Sequence, residues 1–369
     1  MLVGYFGRSL GLRGGIGRYA RELLAGMERA APANQYLLYT NRQPDTELGA
    51  NTILRAGPRR LGRVGYEQFW LPAQLMRDMP DVYHSPDYTL PLAARGSFVI
   101  TVHDLIYLRH PEGTSLRARV LYRVLTRASI ARARKVITVS DYTAREIAEY
   151  FRVPREKLRV IPHGVNPHLQ RLAESADSPA ALARLGVRKP FVLFVGLLTP
   201  RKGVLELIEA FERIQPQTRL ECLVLAGSPG AGYERITERI SASPVRERIL
   251  LAGPADDVTL ASLYSEAAVF SLPSHLEGFG LPVLEAMLLG CPVVVSDSSS
   301  LPEVVGEAGL VARTGDAVSL GEAIARVLTE PGCAEALAEA GRQRAGLFTW
   351  EKTADLTLAV YEEAAESRR

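Results

Sequence analysis

The feature that most limits what this chain can fold into is an alternation, repeated in both halves, of short apolar runs with helical patterns. In the first half LVGYFG, YLLYT, VYHS, FVITVHD, KVITVS and LRVIPHG have strand length and an apolar character, and read as buried parallel strands. Helical stretches such as RYARELLAGM and TAREIAEYF lie between them. In the second half FVLFVG, LECLVLAG, RILLAG, AVFSLP and PVVVSD play the same part. Alternation of this kind predicts α/β architecture with doubly wound layers. At 369 residues the chain is too long for one ordinary core, so two domains are expected. The stretch LQRLAESADSPAALARL has no strand character and reads as the linker, giving domains over 1–172 and 173–349. Two such domains facing a cleft would take ligands at the carboxyl ends of their strands. No internal repeat or low-complexity segment interrupts the pattern.

Composition excludes several classes. No stretch reaches the roughly 18 uninterrupted apolar residues of a membrane span. MLVGYFGRSL reads as a short strand with no signal-peptide layout. Cys222, Cys291 and Cys333 are odd in number and lack C-x-x-C spacing, so neither a disulfide framework nor a zinc site is indicated. Reduced thiols suit the cytoplasm. The net charge of +3 hides an asymmetry: residues 1–175 hold 26 Lys and Arg against 15 Asp and Glu, and residues 176–369 hold 18 against 26. A basic first half implies an acidic partner.

The run PSHLEGFGLPVLEAMLLGC, residues 273–291, carries the strongest chemical signal. It sets Glu277 and Glu285 eight positions apart, with Gly278, Phe279, Gly280 and Pro282 between them. AAVFSLP should deliver Glu277 into a loop, and Pro282 suits the first turn of a helix that carries Glu285. The two glycines let a ligand approach the backbone, and a helix start favours an anion. Two hydroxyl-binding carboxylates beside a phosphate-binding helix end suit a nucleotide-sugar. A glycosidase also needs paired carboxylates, but has no need of the adjacent cations Arg201 and Lys202, which follow strand FVLFVG and its closing Gly196.

This run resembles the E-x7-E motif of the retaining glycosyltransferases of family 4, which have the two-domain GT-B fold of two Rossmann-like domains. The likeness extends along nearly the whole chain, through GLRGGIGRYARELL, TVHDLIYLRHPE, VIPHGV, FVGLLTPRKGVLELIEAF and LPEVVGEAGLV. The tail FTWEKTADLTLAVYEEA is similar to the family's helix that returns to the first domain, here 350–369. The resemblance implies that Arg201 and Lys202 hold the donor diphosphate. It implies that Glu277 faces the sugar hydroxyls and Glu285 the ribose. Gly14 and Gly15 are expected as a loop whose backbone N–H groups approach the donor phosphates. His103, ending strand FVITVHD, would lie near the donor sugar. His84 and Asp104 are the acceptor-side candidates. His110 and His163 read as structural; the family often has Asn at the position of His163.

The same residues admit other readings. Gly15-Ile16-Gly17 with Ala20 formally matches a dinucleotide fingerprint, but the next strand ends in Thr40-Asn41 without an acid for a ribose. Asp256 and Asp257 in GPADDV suit either helix capping or, for Asp257, the two donors on one edge of guanine. With HDLIYLRHPE, which looks most like mannosyltransferases of surface-polysaccharide pathways, this points to GDP-mannose as donor. A UDP-sugar is the alternative, and a sugar-nucleotide epimerase or a non-catalytic sensor are rivals from other classes. No D-x-D pair sits at a strand end, so neither a metal nor a cofactor is expected. Residues 113–135 hold Arg117, Arg119, Arg123, Arg127, Arg132, Arg134 and Lys135 without an acid. Arg119, Arg123 and Arg127 share one helix face, and Val120, Leu121, Val124 and Leu125 another. Such a helix over 117–135 fits an anionic membrane surface or a lipid-linked saccharide acceptor, or else a solvated face. The enzyme would then be cytoplasmic and peripheral at the inner face of the cell membrane. Nucleic acid is not expected, because stacking aromatics are sparse there.

Overall fold

The computed structural model describes residues 1–12, 14–44, 48–109 and 115–366. The chain divides into two compact units, Met1–Gly164 with Thr349–Arg369, and Val165–Phe348. Among the described residues, the first unit carries seven parallel strands: β1 (Leu2–Phe6), β2 (Gln35–Thr40), β3 (Thr52–Ala56), β4 (Val82–Ser85), β5 (Phe98–Val102), β6 (Lys135–Thr138) and β7 (Leu158–Val160). Their spatial order is β3-β2-β1-β4-β5-β6-β7, so the winding reverses between β1 and β4. Side chains alternate across this sheet between two cores, as the pleat requires. Val3, Tyr5, Tyr36, Leu38 and Val99 pack with the helix Gly15–Ala30 and the C-terminal helix Trp350–Glu366. Phe6, Leu37, Tyr39, Ile100 and Val102 face the other core, with Leu75 and Ile147.

The C-terminal helix is tied to this sheet by polar groups as well as apolar ones. Tyr361 Oη lies 2.6 Å from His84 Nδ1, and His84 Nε2 lies 2.9 Å from Thr101 Oγ1, itself 3.0 Å from Tyr19 Oη. Ser97 donates to the Ala364 carbonyl at 2.6 Å. Burial, then the nearby His103, pushes the His84 pKa down to about 3, so His84 is a neutral imidazole at ordinary pH.

The second unit carries, among the described residues, β8 (Phe191–Val195), β9 (Cys222–Ala226), β10 (Ile249–Gly253), β11 (Val269–Leu272), β12 (Val293–Ser296) and β13 (Leu310–Ala312). Their order is β10-β9-β8-β11-β12-β13, and the winding reverses between β8 and β11. β8, β9, β11 and β12 are buried along their whole length, which explains their unbroken apolar runs.

Two strands lie outside those runs, and both are sheet edges. β3 is largely exposed and contains Arg55, ion-paired with Asp78 at 3.0 Å. β13 is only three residues long. The stretch expected as a linker is instead helical. It forms Ser178–Leu185 and most of His168–Ser175, both within the second unit, where Leu169, Ala181 and Leu182 are buried. Asp177 caps the later helix by accepting from Ala180 N at 3.0 Å. Among the described residues, no helix is long and apolar enough to cross a membrane.

Replacing Tyr361 by Phe should leave a buried imidazole nitrogen without its partner and cost about 1–3 kcal/mol. Urea unfolding followed by circular dichroism should show a lower midpoint with an unchanged slope. An unchanged midpoint would mean that this bond does not hold the helix.

Candidate functional site

In the second unit, the loops leaving β8 and β11 meet at the reversal of the sheet, where an open α/β sheet offers a crevice at its carboxyl edge. After β8 and Gly196 the chain makes a tight turn, Pro200–Lys202, and enters the helix Val204–Ile214. Gly203 joins the two at φ 71°, and a Cβ there would lie 2.1 Å from the Pro273 carbonyl oxygen. Only glycine allows that approach. It brings the Arg-Lys turn against the loop that follows β11. His275 N donates to the Arg201 carbonyl at 2.9 Å, and the Arg201 guanidinium donates to the Leu276 carbonyl.

Lys202 forms an ion pair with Glu277 Oε1, and both side chains are largely buried. Ser274 Oγ donates to the same oxygen at 2.7 Å. Among the described residues no hydrogen bond falls on Glu277 Oε2. Burial pushes the Glu277 carboxyl up, but Lys202 and Arg201, with hydrogen bonds from Lys202 and Ser274, outweigh it and hold the group below the ordinary carboxylate value. The loop backbone is cradled by serines that follow β12. Glu277 N donates to Ser299 Oγ at 2.9 Å, and Ser300 Oγ donates to the carbonyls of Glu277 and Phe279 at 3.1 and 2.9 Å. Gly278, Phe279 and Gly280 are buried in this loop, and Pro282 lies in the first turn of the helix Leu281–Leu288 that follows.

Glu285 is buried on that helix, where its Oε2 accepts from Tyr264 Oη at 2.9 Å. Tyr264 belongs to the helix Asp257–Glu266. Asp256 caps the same helix, accepting from Thr259 N at 2.8 Å, so capping belongs to Asp256. Asp257 is exposed in the first turn. The serines after β12, Tyr264 and His275 were not singled out in the sequence. His275 Nε2 lies 2.9 Å from Glu206 Oε1, whose hydrogen bond raises the imidazole pKa. The one local signal was the run of serines at 298–300 beyond a buried strand.

In the first unit, His103 follows β5 and is buried. Its Nε2 lies 3.0 Å from the Pro86 carbonyl, which only accepts, so the proton sits on Nε2 and Nδ1 carries the lone pair. Tyr19 and His163 rings stand 4.8 and 5.4 Å from it. Burial lowers the His103 pKa, against the opposing bond to Pro86 and the charges of Asp104 and Asp87. Asp104 is half-buried, and its Oδ1 accepts from Ile106 N at 3.0 Å. His163 is buried and stacks on Trp350 at 5.9 Å. His110 lies outside the described residues.

Two expectations are corrected here. His84 is not at a ligand-facing strand end: it is fully buried in β4, and both ring nitrogens are committed within the core. Gly15 is not a loop residue but the first residue of the helix Gly15–Ala30, with the exposed Gly14 as its cap. Gly17 is required by close packing, since a Cβ there would lie 1.7 Å from the Leu12 carbonyl oxygen.

The basic segment forms the helix Leu116–Arg132, while Gly113 and Thr114 lie outside the described residues. Its buried face is Thr126, Ser129 and Ile130. Its apolar residues Leu116, Val120 and Val124 are instead 69%, 55% and 58% exposed, among exposed Arg117, Arg123 and Arg127.

Comparison with known proteins matches two family models, described as Glycosyltransferase Family 4 over residues 13–169 and Glycosyl transferases group 1 over residues 183–344. The chain is 29% identical to O-antigen chain mannosyltransferase B of Escherichia coli, over 94% of this chain and 95% of that one. It is 33% identical to the MMP alpha-(1->4)-mannosyltransferase of Mycolicibacterium hassiacum, over 62% of this chain and 54% of that one. Among solved structures, sucrose-phosphate synthase from Thermosynechococcus elongatus superposes over 100% of both chains, with a TM-score of 0.79 and 25% identity.

The lowered Glu277 pKa fixes a pH dependence. The stability it contributes is present above the ordinary carboxylate pKa of 4.5 and is lost as pH falls through the lower folded value. The stability gap between wild type and Glu277→Gln should therefore widen as pH rises from about 3 to about 5 and level off above. Denaturant unfolding across that range checks it, and a gap independent of pH would sink the assignment.

Proposed function

Because the chain belongs to glycosyltransferase family 4 and has the GT-B fold, we propose that it moves mannose from GDP-mannose to a hydroxyl of a saccharide or lipid-linked saccharide acceptor, with retention at the anomeric carbon. The observation that carries this reading is the meeting of Arg201, Lys202 and Glu277 at the reversal of the second sheet. Two cations stand where a diphosphate would leave, beside a carboxylate with one oxygen open to a sugar hydroxyl.

The chemistry follows from charge. As the sugar–phosphate bond breaks, negative charge grows on the leaving diphosphate, and preorganised cations lower that barrier more than they stabilise the ground state. Lys202 would exchange Glu277 Oε1 for a phosphate oxygen, freeing that carboxylate to orient the sugar. Glu285, its carboxylate set by Tyr264, takes the ribose hydroxyls. The backbone of Gly196, Gly278, Phe279 and Gly280 lines the donor. The leaving diphosphate oxygen accepts the acceptor proton, so the reaction asks for no protein nucleophile. In the first unit, Gly14 and Gly15 offer backbone N–H groups to phosphate, neutral His103 orients the sugar, and Asp104 belongs to the acceptor side.

Mannose is supported by the full-length likeness to the E. coli mannosyltransferase. Guanine is supported by Asp257, exposed beside a capping Asp256, since a carboxylate matches the two donors of guanine better than the one of uracil. The exposed Leu116, Val120 and Val124 among arginines support a peripheral place on an anionic membrane, with surface polysaccharide or glycolipid as product.

Calorimetry with GDP and UDP, with and without magnesium, should give tighter GDP binding that ignores the metal. Glu277→Ala should keep that nucleotide affinity and lose mannosyl transfer. Tighter UDP binding would discard GDP-mannose, and unimpaired transfer would discard the role of Glu277. For the membrane surface, Val120→Glu with Val124→Glu should weaken sedimentation with phosphatidylglycerol vesicles by about tenfold or more. Equal sedimentation would end that assignment.

A further inference from the structure

A second titratable pair, His275 with Glu206, stands beside the Arg-Lys turn of the second unit. Glu206 lies in the first turn of the helix Val204–Ile214, which follows Gly203. His275 lies in the loop after β11, one residue before Leu276, whose carbonyl holds the Arg201 guanidinium, and two before Glu277. Its Nε2 reaches Glu206 Oε1 at 2.9 Å, and its backbone carries two more tethers. The amide donates to the Arg201 carbonyl at 2.9 Å, and the carbonyl accepts from Ser298 Oγ. One residue thus joins the loops that leave β8, β11 and β12.

The pair is matched in charge only while His275 is protonated. Glu206 Oε2 is buried and takes no hydrogen bond among the described residues, so the carboxylate depends on what it meets at Oε1. The charged groups around the ring are Glu206 and Arg201, with Arg235 acting on Glu206 from the helix Tyr233–Ser241. The loop after β13 meets the ring at Gly315, where a Cβ would lie 3.7 Å from Cε1. Its charges, Arg313 and Asp316, are paired with one another at 2.7 Å. The hydrogen bond to Glu206 raises the His275 pKa; burial opposes it, the Glu206 charge adds to it and the Arg201 charge subtracts from it. Burial pushes the Glu206 carboxyl up, but the bond and charge of His275 outweigh it and hold the group below its ordinary value. An anion bound on Arg201 cancels the repulsion between Arg201 and His275. A diphosphate there and a proton on His275 therefore favour one another, each by the same factor.

We propose that His275 is a positioning residue for the donor diphosphate: paired with Glu206 it fixes the Arg201–Lys202 turn against the Glu277 loop, and binding of the diphosphate on Arg201 brings a proton onto the ring. The diphosphate link rests on the glycosyltransferase reading; the tether rests on the hydrogen bonds alone. The ionic part of the pair is fully present below about pH 6.5 and is lost as pH rises through the higher value of the folded protein. Donor affinity falls over the same window.

The test is calorimetric titration of the full chain with GDP at about pH 6.5 and about pH 8.5, in two buffers of different ionisation heat, so that protons taken up are counted. His275→Gln keeps a hydrogen-bond donor for Glu206 but binds no proton. The titration of GDP itself is common to both proteins and cancels in the comparison. GDP should bring more protons onto the wild type than onto this variant, and the wild type should lose about threefold or more in affinity relative to it as pH rises. Equal proton uptake with parallel pH profiles overturns the proposal. His275→Leu, which removes the donor as well, should weaken GDP binding at both pH values, with Gln recovering part of the loss; leucine binding GDP as the wild type does would end the positioning role. If GDP does not bind at all, the donor reading fails instead, and NMR titration of the free, histidine-labelled chain decides the tether. The His275 signal, identified by its loss in His275→Gln, should titrate above 6.5 and move down in Glu206→Gln. A signal that titrates at the same pH with and without the Glu206 carboxylate ends the tether too.

Discussion

The second unit depends on one buried ion pair, Lys202 with Glu277. It joins the loops that leave β8 and β11, the strands on either side of the point where the sheet reverses. Removing two charges from water is costly, and only good geometry with further hydrogen bonds offsets it. Those bonds are present. Ser274 shares Glu277 Oε1, Ser299 accepts from the Glu277 amide, and Ser300 holds two loop carbonyls. A loop whose backbone is fixed this way holds its charged groups in place, so that only the side-chain partners need exchange when a ligand arrives.

The first unit also buries an ion-paired cluster, Arg63 with Asp87 at 2.7 Å and Glu67 at 3.8 Å, and it buries histidines as well. Burial makes His84 a neutral imidazole and lowers the His103 pKa as well, and both rings are held by hydrogen bonds that suit a neutral ring. The chain Tyr361, His84, Thr101, Tyr19 links the C-terminal helix, two strands and the first helix. Exposed positive charge lies on the helix Leu116–Arg132, at Arg117, Arg123 and Arg127.

Legibility followed burial. Strands such as FVLFVG and FVITV announced themselves because both faces are covered, which forces a continuous apolar run. β3 and β13 did not, since an edge strand can be exposed or very short. The segment 169–185 looked like a linker because it lacks strand character, yet a few buried residues are enough to pack two short helices. His84 looked like a ligand-side group because it ends a strand run. Nothing local to it announces Tyr361, 277 positions away.

The sequence alone determined the two doubly wound layers and the candidate charges Arg201, Lys202, Glu277 and Glu285. These rest on local periodicity and on residue types adjacent along the chain. Tertiary structure decided which of those groups meet and what holds them. The approach of Gly203 to Pro273, the serines that cradle Glu277, the Tyr264 bond to Glu285 and the meeting of Glu206 with His275 all join residues distant in the chain. Hydrogen bonds and ion pairs depend on separations of a few ångströms, and sequence spacing cannot set those until packing brings the strands together.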